Sequence, residues 1–190
     1  VLLAVLVGIP AAYLTGMGLS TLVDAYLFPV PQSVLEAFGE VILDDEIPLW
    51  QLIFFVCVMP GILEELAFRG VLLHGLRKTW RPVIVCLVVG GIFGLFHVDL
   101  FRLIPTAYLG VIFAAVVLLT GSIFPAMLWH FGNNALGLIP QRMGWVTEET
   151  VFPEWVLAIA VVALLVVFWI IWKVSTPYPD LKKKRPDAFG

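Results

Sequence analysis

Charged residues are scarce in this sequence: they make up 13% of the 190 residues, whereas hydrophobic residues make up 61%. A typical soluble domain is about 25% charged and about 45–50% apolar. This apolar excess is too large to be hidden in one soluble core, so lipid must solvate much of the surface. The uninterrupted apolar run 155–172 is long enough to span a bilayer as a helix.

Other scarcities exclude further classes of protein. The two cysteines, Cys57 and Cys86, form neither a disulfide framework nor a CxxC metal site, and we expect them to pack as small apolar residues. No basic stripe is present, which argues against a nucleic-acid partner. Strands of alternating polarity are also lacking. Because backbone groups in lipid must be satisfied internally, helices are then the only reasonable spanning structure.

The sequence predicts an all-α, polytopic transmembrane bundle of about six spans. Polar, proline or glycine residues separate apolar windows along the whole chain, and no internal repeat is present. The chain begins at Val1, already inside an apolar stretch, so we expect it to be part of a longer protein. The predicted spans are 1–20, 49–75, 82–98, 103–119, 121–139 and 152–173.

One amphipathic helix is predicted over 33–46, where the apolar residues share a helical face and the acidic residues fall mostly elsewhere. Ser33 and Glu36 have the spacing of a capping box. Such a helix should lie along the membrane surface or cap the bundle. The apolar residues are Val34, Leu35, Phe38, Val41 and Ile42.

Lysine and arginine residues are distributed unevenly between the two sides of the six-span arrangement. Eight fall on one side and two, Arg102 and Arg142, on the other. By the positive-inside rule, both termini of a multi-pass cell-membrane protein are then predicted to be cytoplasmic. The eight are Arg77, Lys78, Arg81, Lys173, Lys182, Lys183, Lys184 and Arg185.

Ionisable side chains inside the span 49–75 indicate function, because they are costly in a membrane. Glu65 and Arg69 are four residues apart and share a helical face, where they can pair. Glu64 points about 100° away and lacks that counter-ion. One anchored and one unpaired carboxylate suit general acid–base catalysis, but a structural ion pair with a spare glutamate fits the same spacing.

Two further spans carry polar groups: His97 ends the third span, and His130 and Asn134 lie one turn apart in the fifth. These residue types leave two chemistries open. In one, Glu64 and a histidine activate water while His and Asn donors stabilise an oxyanion. In the other, Glu64, His97 and His130 bind a catalytic zinc ion. In either case we expect Glu64, His97, His130 and Asn134 to lie within about 10 Å of a common point.

Three motifs in this order resemble those of the CPBP family, which includes the eukaryotic type II CAAX prenyl endopeptidase and bacterial Abi-type membrane proteins. Each motif is short, but all three occur in order and in hydrophobic helices. They are EExxxR (Glu64, Glu65, Arg69), FxxxH (Phe93, His97) and HxxxN (His130, Asn134).

The resemblance implies a helical bundle around a polar cavity, with metal-free peptidase activity; zinc remains the alternative cofactor. Glu64 resembles the residue that activates water, helped by His97. His130 and Asn134 resemble the stabilisers of the oxyanion. The catalytic core is expected over 49–139, between an N-terminal span with its amphipathic helix (1–48) and a last span with a basic cytoplasmic tail (140–190).

Glu65 and Arg69 resemble the pair that holds Glu64 in place. The partners implied are the lipid bilayer and a peptide or protein substrate, free or membrane-bound.

Two rival functions use the same residues: a non-catalytic immunity or scaffold protein that keeps the fold, and an ion or proton path. Against a path, the ionisable residues cluster in one place instead of crossing the bilayer.

Overall fold

The computed structural model describes residues 1–146 and 152–178, which form helices and no strand. The predicted all-α bundle is therefore confirmed for this part of the chain. The basic residues 182–185 and most of the predicted tail lie outside the described residues. The helices are α1 (Leu2–Tyr26), α2 (Gln32–Leu43), α3 (Leu49–Leu76), α4 (Pro82–Phe96), α5 (Leu100–Thr120), α6 (Phe124–Arg142) and α7 (Glu154–Val174).

Six of these helices coincide with the six predicted spans, but they differ in their fitness to cross a bilayer. Helices α1, α3, α5 and α7 are long and apolar enough. Helix α4 is apolar but has 15 residues, about 22 Å at 1.5 Å per residue, against a hydrocarbon core of about 30 Å. Helix α6 has 19 residues but is more polar, since it carries His130, Asn133 and Asn134.

Helix α3 carries the two adjacent glutamates and contains two π-helical stretches, Ile53–Val58 and Leu66–Leu73. Pro60 follows the first stretch. A proline lacks the N–H and crowds the preceding turn, so a wider turn before it lets the helix continue. The next residue, Gly61, permits a close approach of α6, because a Cβ there would lie 3.3 Å from the backbone nitrogen of Phe131. Helix α3 is therefore held against α6 about one turn before its glutamates.

The contact between α4 and α5 depends on glycines in both helices. A Cβ on Gly94 would lie 2.5 Å from the carbonyl oxygen of Leu103, and a Cβ on Gly90 would lie 2.7 Å from the backbone nitrogen of Val111. On α5, a Cβ on Gly110 would lie 2.8 Å from the Cα of Gly90. Small residues let membrane helices approach this closely. The glycines thereby fix the rotation and depth of α4 relative to α5.

Helix α1 packs against α5, α6 and α7. Trp129 of α6 is completely buried and lies against Gly8 of α1, where no Cβ would fit. Its ring is 6.1 Å from the ring of Phe168 in α7. Because Trp129 directly precedes His130, this packing also fixes the direction in which the histidine side chain leaves α6.

Both cysteines are free thiols, as the sequence predicts. Cys57 is buried in a small cluster with Leu52 and Leu138, and Cys86 is partly buried against the main core. Both therefore act as small apolar residues in the packing of the bundle.

Helix α2 has no buried residue, which agrees with an interfacial helix at the end of the bundle. The predicted capping box is wrong, because the helix begins at Gln32 and Ser33 lies inside its first turn. The N-cap is Pro31, in an extended conformation, and no side-chain capping bond is present. The proline sets the start of the helix before the serine can act as its cap.

Two arginines hold α2 and the connection that follows it. Arg142, at the end of α6, donates hydrogen bonds to the carbonyl oxygens of Ile42, Asp44 and Ile47 at 2.8, 2.9 and 3.1 Å. The guanidinium of Arg102, in the first turn of α5, lies 4.4 Å from the ring centroid of Phe38. These contacts place α2 across the end of the bundle where α4 meets α5 and where α6 ends.

We predict that Gly94→Ala lowers the free energy of unfolding by about 1–3 kcal/mol, because the added methyl group forces two backbones apart. Thermal unfolding of the purified protein in one detergent measures this effect. Gly91→Ala is the matched control, since no atom lies within 4 Å of its Cβ position. Equal melting temperatures for the two variants would contradict the close contact between α4 and α5.

Candidate active site

The two glutamates lie in the short α-helical segment between the π-helical stretches of α3. Adjacent helical residues point about 100° apart, so the two carboxylates face different surroundings. Glu65 is completely buried, whereas the side chain of Glu64 keeps 23% of its exposure. π-Helical turns are frequent at functional sites of other proteins. Here they bracket the helical turn that carries the carboxylates.

The predicted pair of Glu65 and Arg69 is present. Nη1 of Arg69 donates to Oε1 of Glu65 at 2.8 Å, and both side chains are excluded from solvent. Nη2 of the same guanidinium donates to the carbonyl oxygen of Gly110 at 2.9 Å. The rings of Phe93 and Phe113 lie 4.5 and 5.2 Å from its central carbon. A carboxylate, a carbonyl and two ring faces thus stabilise this buried cation.

His130 joins both glutamates. Its Nδ1 lies 2.9 Å from Oε1 of Glu65, and its Nε2 lies 3.9 Å from Oε2 of Glu64. The ring stacks on Phe113 with a centroid distance of 5.1 Å, and Phe93 meets it edge-on at 5.8 Å. Glu65 therefore holds His130 as well as Arg69, a contact that the resemblance did not imply.

His97 ends α4, one turn after Phe93. Its Nδ1 lies 2.9 Å from the carbonyl oxygen of Phe93, and the Phe93 ring contacts both His97 and His130. The next residue, Val98, has a φ angle of 65°, which is strained for a β-branched side chain. Such strain is found at functional sites when the surrounding structure enforces it. No hydrogen bond or ion pair joins His97 to Glu64 among the described residues.

Asn134 lies one turn after His130 and faces α3. Its Nδ2 donates to the carbonyl oxygen of Val56 at 2.9 Å, inside the first π-helical stretch. One of its two amide hydrogens is therefore bound to the backbone. The structure thus brings Glu64 and His130 together and places Asn134 beside the same helix. Convergence of these three with His97 on one point stays a prediction.

The sequence did not reveal every residue that contacts this cluster. Phe113 looked like any aromatic residue of an apolar span, and Gly110 contributes only a backbone carbonyl. Asn133 was a polar residue within a span and could have been included on that ground. It is buried, and its Oδ1 has no hydrogen-bond partner.

Several buried polar atoms of the cluster have no partner among the described side chains and backbone. Two are carboxylate oxygens, Oε2 of Glu64 and Oε2 of Glu65. Buried polar groups in proteins are nearly always hydrogen-bonded, to protein or to water. Unpartnered acceptors beside an imidazole can therefore bind and polarise a water molecule.

The metal-binding alternative needs three ligands around one ion. Glu64 and His130 are neighbours, and the contact of His97 Nδ1 with a backbone carbonyl leaves its Nε2 available as a ligand. Among the residues that the structure describes, no group of three histidine, cysteine or acidic side chains could hold a metal ion. In this conformation the three candidate ligands are not gathered around one ion, and a metal-free reaction stays a prediction.

The comparisons with known proteins concern the same part of the chain. Residues 46–136 match the family model described as "Type II CAAX prenyl endopeptidase Rce1-like". No curated protein and no solved structure matches the chain. The matched family is a protease family, which supports peptidase activity on a peptide or protein substrate, and the apolar helices mark a membrane protein. Residues 46–136 contain all three motifs, so this match agrees with the resemblance to the CPBP family that the sequence shows.

Proposed function

We propose that this protein is an intramembrane endopeptidase that hydrolyses a peptide bond with a water molecule activated by Glu64 and His97. The family match supports the class of reaction. The observation that supports this mechanism most directly is the position of Oε2 of Glu64. This oxygen is buried, has no hydrogen-bond partner and lies 3.9 Å from Nε2 of His130. This separation is too long for a hydrogen bond and suits two groups that share a water molecule.

In the proposed reaction Glu64 is the general base, because it has no arginine partner and its carboxylate remains available. A carboxylate within hydrogen-bond reach of water can take its proton as the water oxygen attacks the carbonyl carbon. His97 assists from the end of α4. The apolar bundle strengthens these polar interactions, since few competing water molecules reach them.

We assign stabilisation of the oxyanion to His130 and Asn134. Donors aimed at the developing negative charge are worth several kcal/mol in a site of low dielectric, about 3–4 for one donor. Asn134 uses one amide hydrogen on Val56 and keeps the second. Its bond to α3 also holds the amide at a fixed position. Glu65, which is itself bound by Arg69, contacts the histidine at Nδ1 on the other side of its ring.

The substrate class that follows is a peptide or protein segment within reach of the bilayer. We further propose a multi-pass position in the cell membrane with both termini cytoplasmic. The two arginines on the opposite side have structural roles, since Arg102 stacks on Phe38 and Arg142 binds the carbonyl groups after α2. These two arginines therefore argue only weakly against a cytoplasmic position of the opposite, lysine- and arginine-rich side. The test is a C-terminal fusion to a reporter that is active only outside the cytoplasm. A signal from this reporter would contradict the proposed orientation.

Glu64→Gln is expected to abolish peptide hydrolysis with little loss of folded protein. The amide is isosteric but cannot accept a proton, and loss of a general base reduces turnover about 10²–10⁴-fold. Turnover of a membrane-bound reporter peptide and the yield in detergent are measured together. Glu40→Gln on the exposed face of α2 is the matched control. An inactive wild type would instead favour the non-catalytic scaffold.

Glu65→Gln is expected to lower the folded yield, unlike Glu64→Gln. The change leaves Arg69 buried without its counter-ion, which costs about 3–5 kcal/mol in comparable buried pairs. Monodisperse protein after size-exclusion chromatography measures the effect. If Glu64→Gln gave the folding defect and Glu65→Gln the loss of turnover alone, the two roles would be exchanged.

Catalysis is expected to persist without a metal ion. Exhaustive treatment with a chelator, followed by metal analysis and turnover measurement of the same sample, tests this. Retained turnover in metal-free protein agrees with a base formed by Glu64. Stoichiometric zinc, with activity lost on its removal and restored on its return, would make His130 a metal ligand in place of an oxyanion donor.

A further inference from the structure

The side chain of Glu65 makes more contacts at one oxygen than the pairing with Arg69 requires. Its Oε1 lies 2.8 Å from Nη1 of Arg69 and 2.9 Å from Nδ1 of His130. All three side chains are buried. The oxygen therefore sits between two nitrogen atoms, of which the guanidinium nitrogen is always a donor.

The geometry of this contact decides which nitrogen of His130 carries the hydrogen. A carboxylate oxygen that accepts from a guanidinium is an acceptor and has no hydrogen to give. Nδ1 of His130 must then be the donor, because two acceptors at 2.9 Å would repel each other. A neutral imidazole carries one hydrogen, so its lone pair lies on Nε2. That nitrogen is the one that faces Glu64.

We propose that Glu65 is a positioning residue that fixes the Nδ1–H form of His130 and so makes Nε2 a proton acceptor beside Glu64. The assignment rests on the proposed function for its consequence, but not for its geometry. The stacked ring of Phe113 and the edge of Phe93 hold the imidazole plane in this orientation. Carboxylates orient imidazoles in this way in catalytic triads and metal sites.

The consequence concerns the oxyanion. A neutral His130 in this form has no hydrogen on Nε2, so it can donate to the oxyanion only after it gains a proton. When the water oxygen bonds to the carbonyl carbon, the carbonyl electron pair moves to oxygen, and the one released proton passes through Glu64 to Nε2 of His130. With that proton on Nε2, the imidazolium donates to the oxyanion. The proton then goes to the leaving nitrogen as the carbon–nitrogen bond breaks.

The direct test is ¹⁵N NMR of the full chain in detergent with labelled histidine. The chain has three histidines, so the signal of His130 is identified by its loss in His130→Gln. At a pH where the imidazole is neutral, we expect a protonated Nδ1 and an unprotonated Nε2. Glu65→Asp, whose shorter side chain retracts the carboxylate from Nδ1 while it keeps the charge for Arg69, should release the hydrogen from Nδ1 so that Nε2 becomes protonated in part. Glu64→Gln is the matched control on the neighbouring residue and should leave the form unchanged.

Kinetics separates positioning from a purely structural role. The folded fraction of Glu65→Gln should lose turnover about 10²–10⁴-fold with little change in KM, by analogy with carboxylates that orient a catalytic histidine. If too little Glu65→Gln folds, Glu65→Asp keeps the charge for Arg69 while its shorter side chain retracts from His130. The wild-type spectrum decides the assignment in either case.

Each outcome has a defined meaning. Hydrogen on Nε2 in the wild type, or an unchanged spectrum in folded Glu65→Asp, would overturn the positioning role even if the protein were an active peptidase. Hydrogen on Nδ1 in the wild type that moves in Glu65→Asp but not in Glu64→Gln supports it. If that pattern appeared in a protein that hydrolyses no peptide, the proposed function would fail and the role of Glu65 would stand.

Discussion

Arg69 is a cation inside an apolar bundle, and its stabilisation relates four helices to one another. Its own helix, α3, supplies Glu65, α5 supplies the carbonyl of Gly110, and α4 supplies the ring of Phe93. Helix α6 joins through His130, which shares the carboxylate oxygen of Glu65. An isolated charge at such a depth costs several kcal/mol. Helix positions that break one of these contacts are therefore disfavoured, and the same contacts set the geometry of the candidate site.

The small residues of α4 and α5 make this arrangement possible. Gly90 and Gly110 let the two backbones approach to a distance at which no Cβ fits between them. This approach brings Phe93 of α4 to the same guanidinium that binds the carbonyl of Gly110. Packing and electrostatics thus specify one register of α4 and α5, because a shift of one turn would separate the ring from the cation. When close packing and electrostatics favour the same helix positions, the sequence specifies a single fold.

The helices and the pair of Glu65 and Arg69 were predictable because periodicity and a spacing of four residues are local properties of the chain. The bond between Glu65 and His130 was not, since the two residues are 65 positions apart and meet only after α3 and α6 pack. Likewise, the bond of Asn134 to Val56 depends on where α6 crosses a π-helical stretch. The capping box failed at Ser33 because the competing signal of a proline set the start of the helix earlier.

The division between the two glutamates follows from the angle between adjacent helical residues. One carboxylate, that of Glu65, is turned toward Arg69 and His130 and contacts both through Oε1, so it is suited to orient these groups. Its neighbour, turned about 100° away, meets only the far nitrogen of the same imidazole at 3.9 Å and keeps an unpartnered oxygen. The carboxylate that lacks strong partners is the one that can change its protonation during a reaction. In the proposed mechanism, an adjacent pair of glutamates in one helix thereby supplies both a rigid anchor and a reactive base, and His130 contacts both.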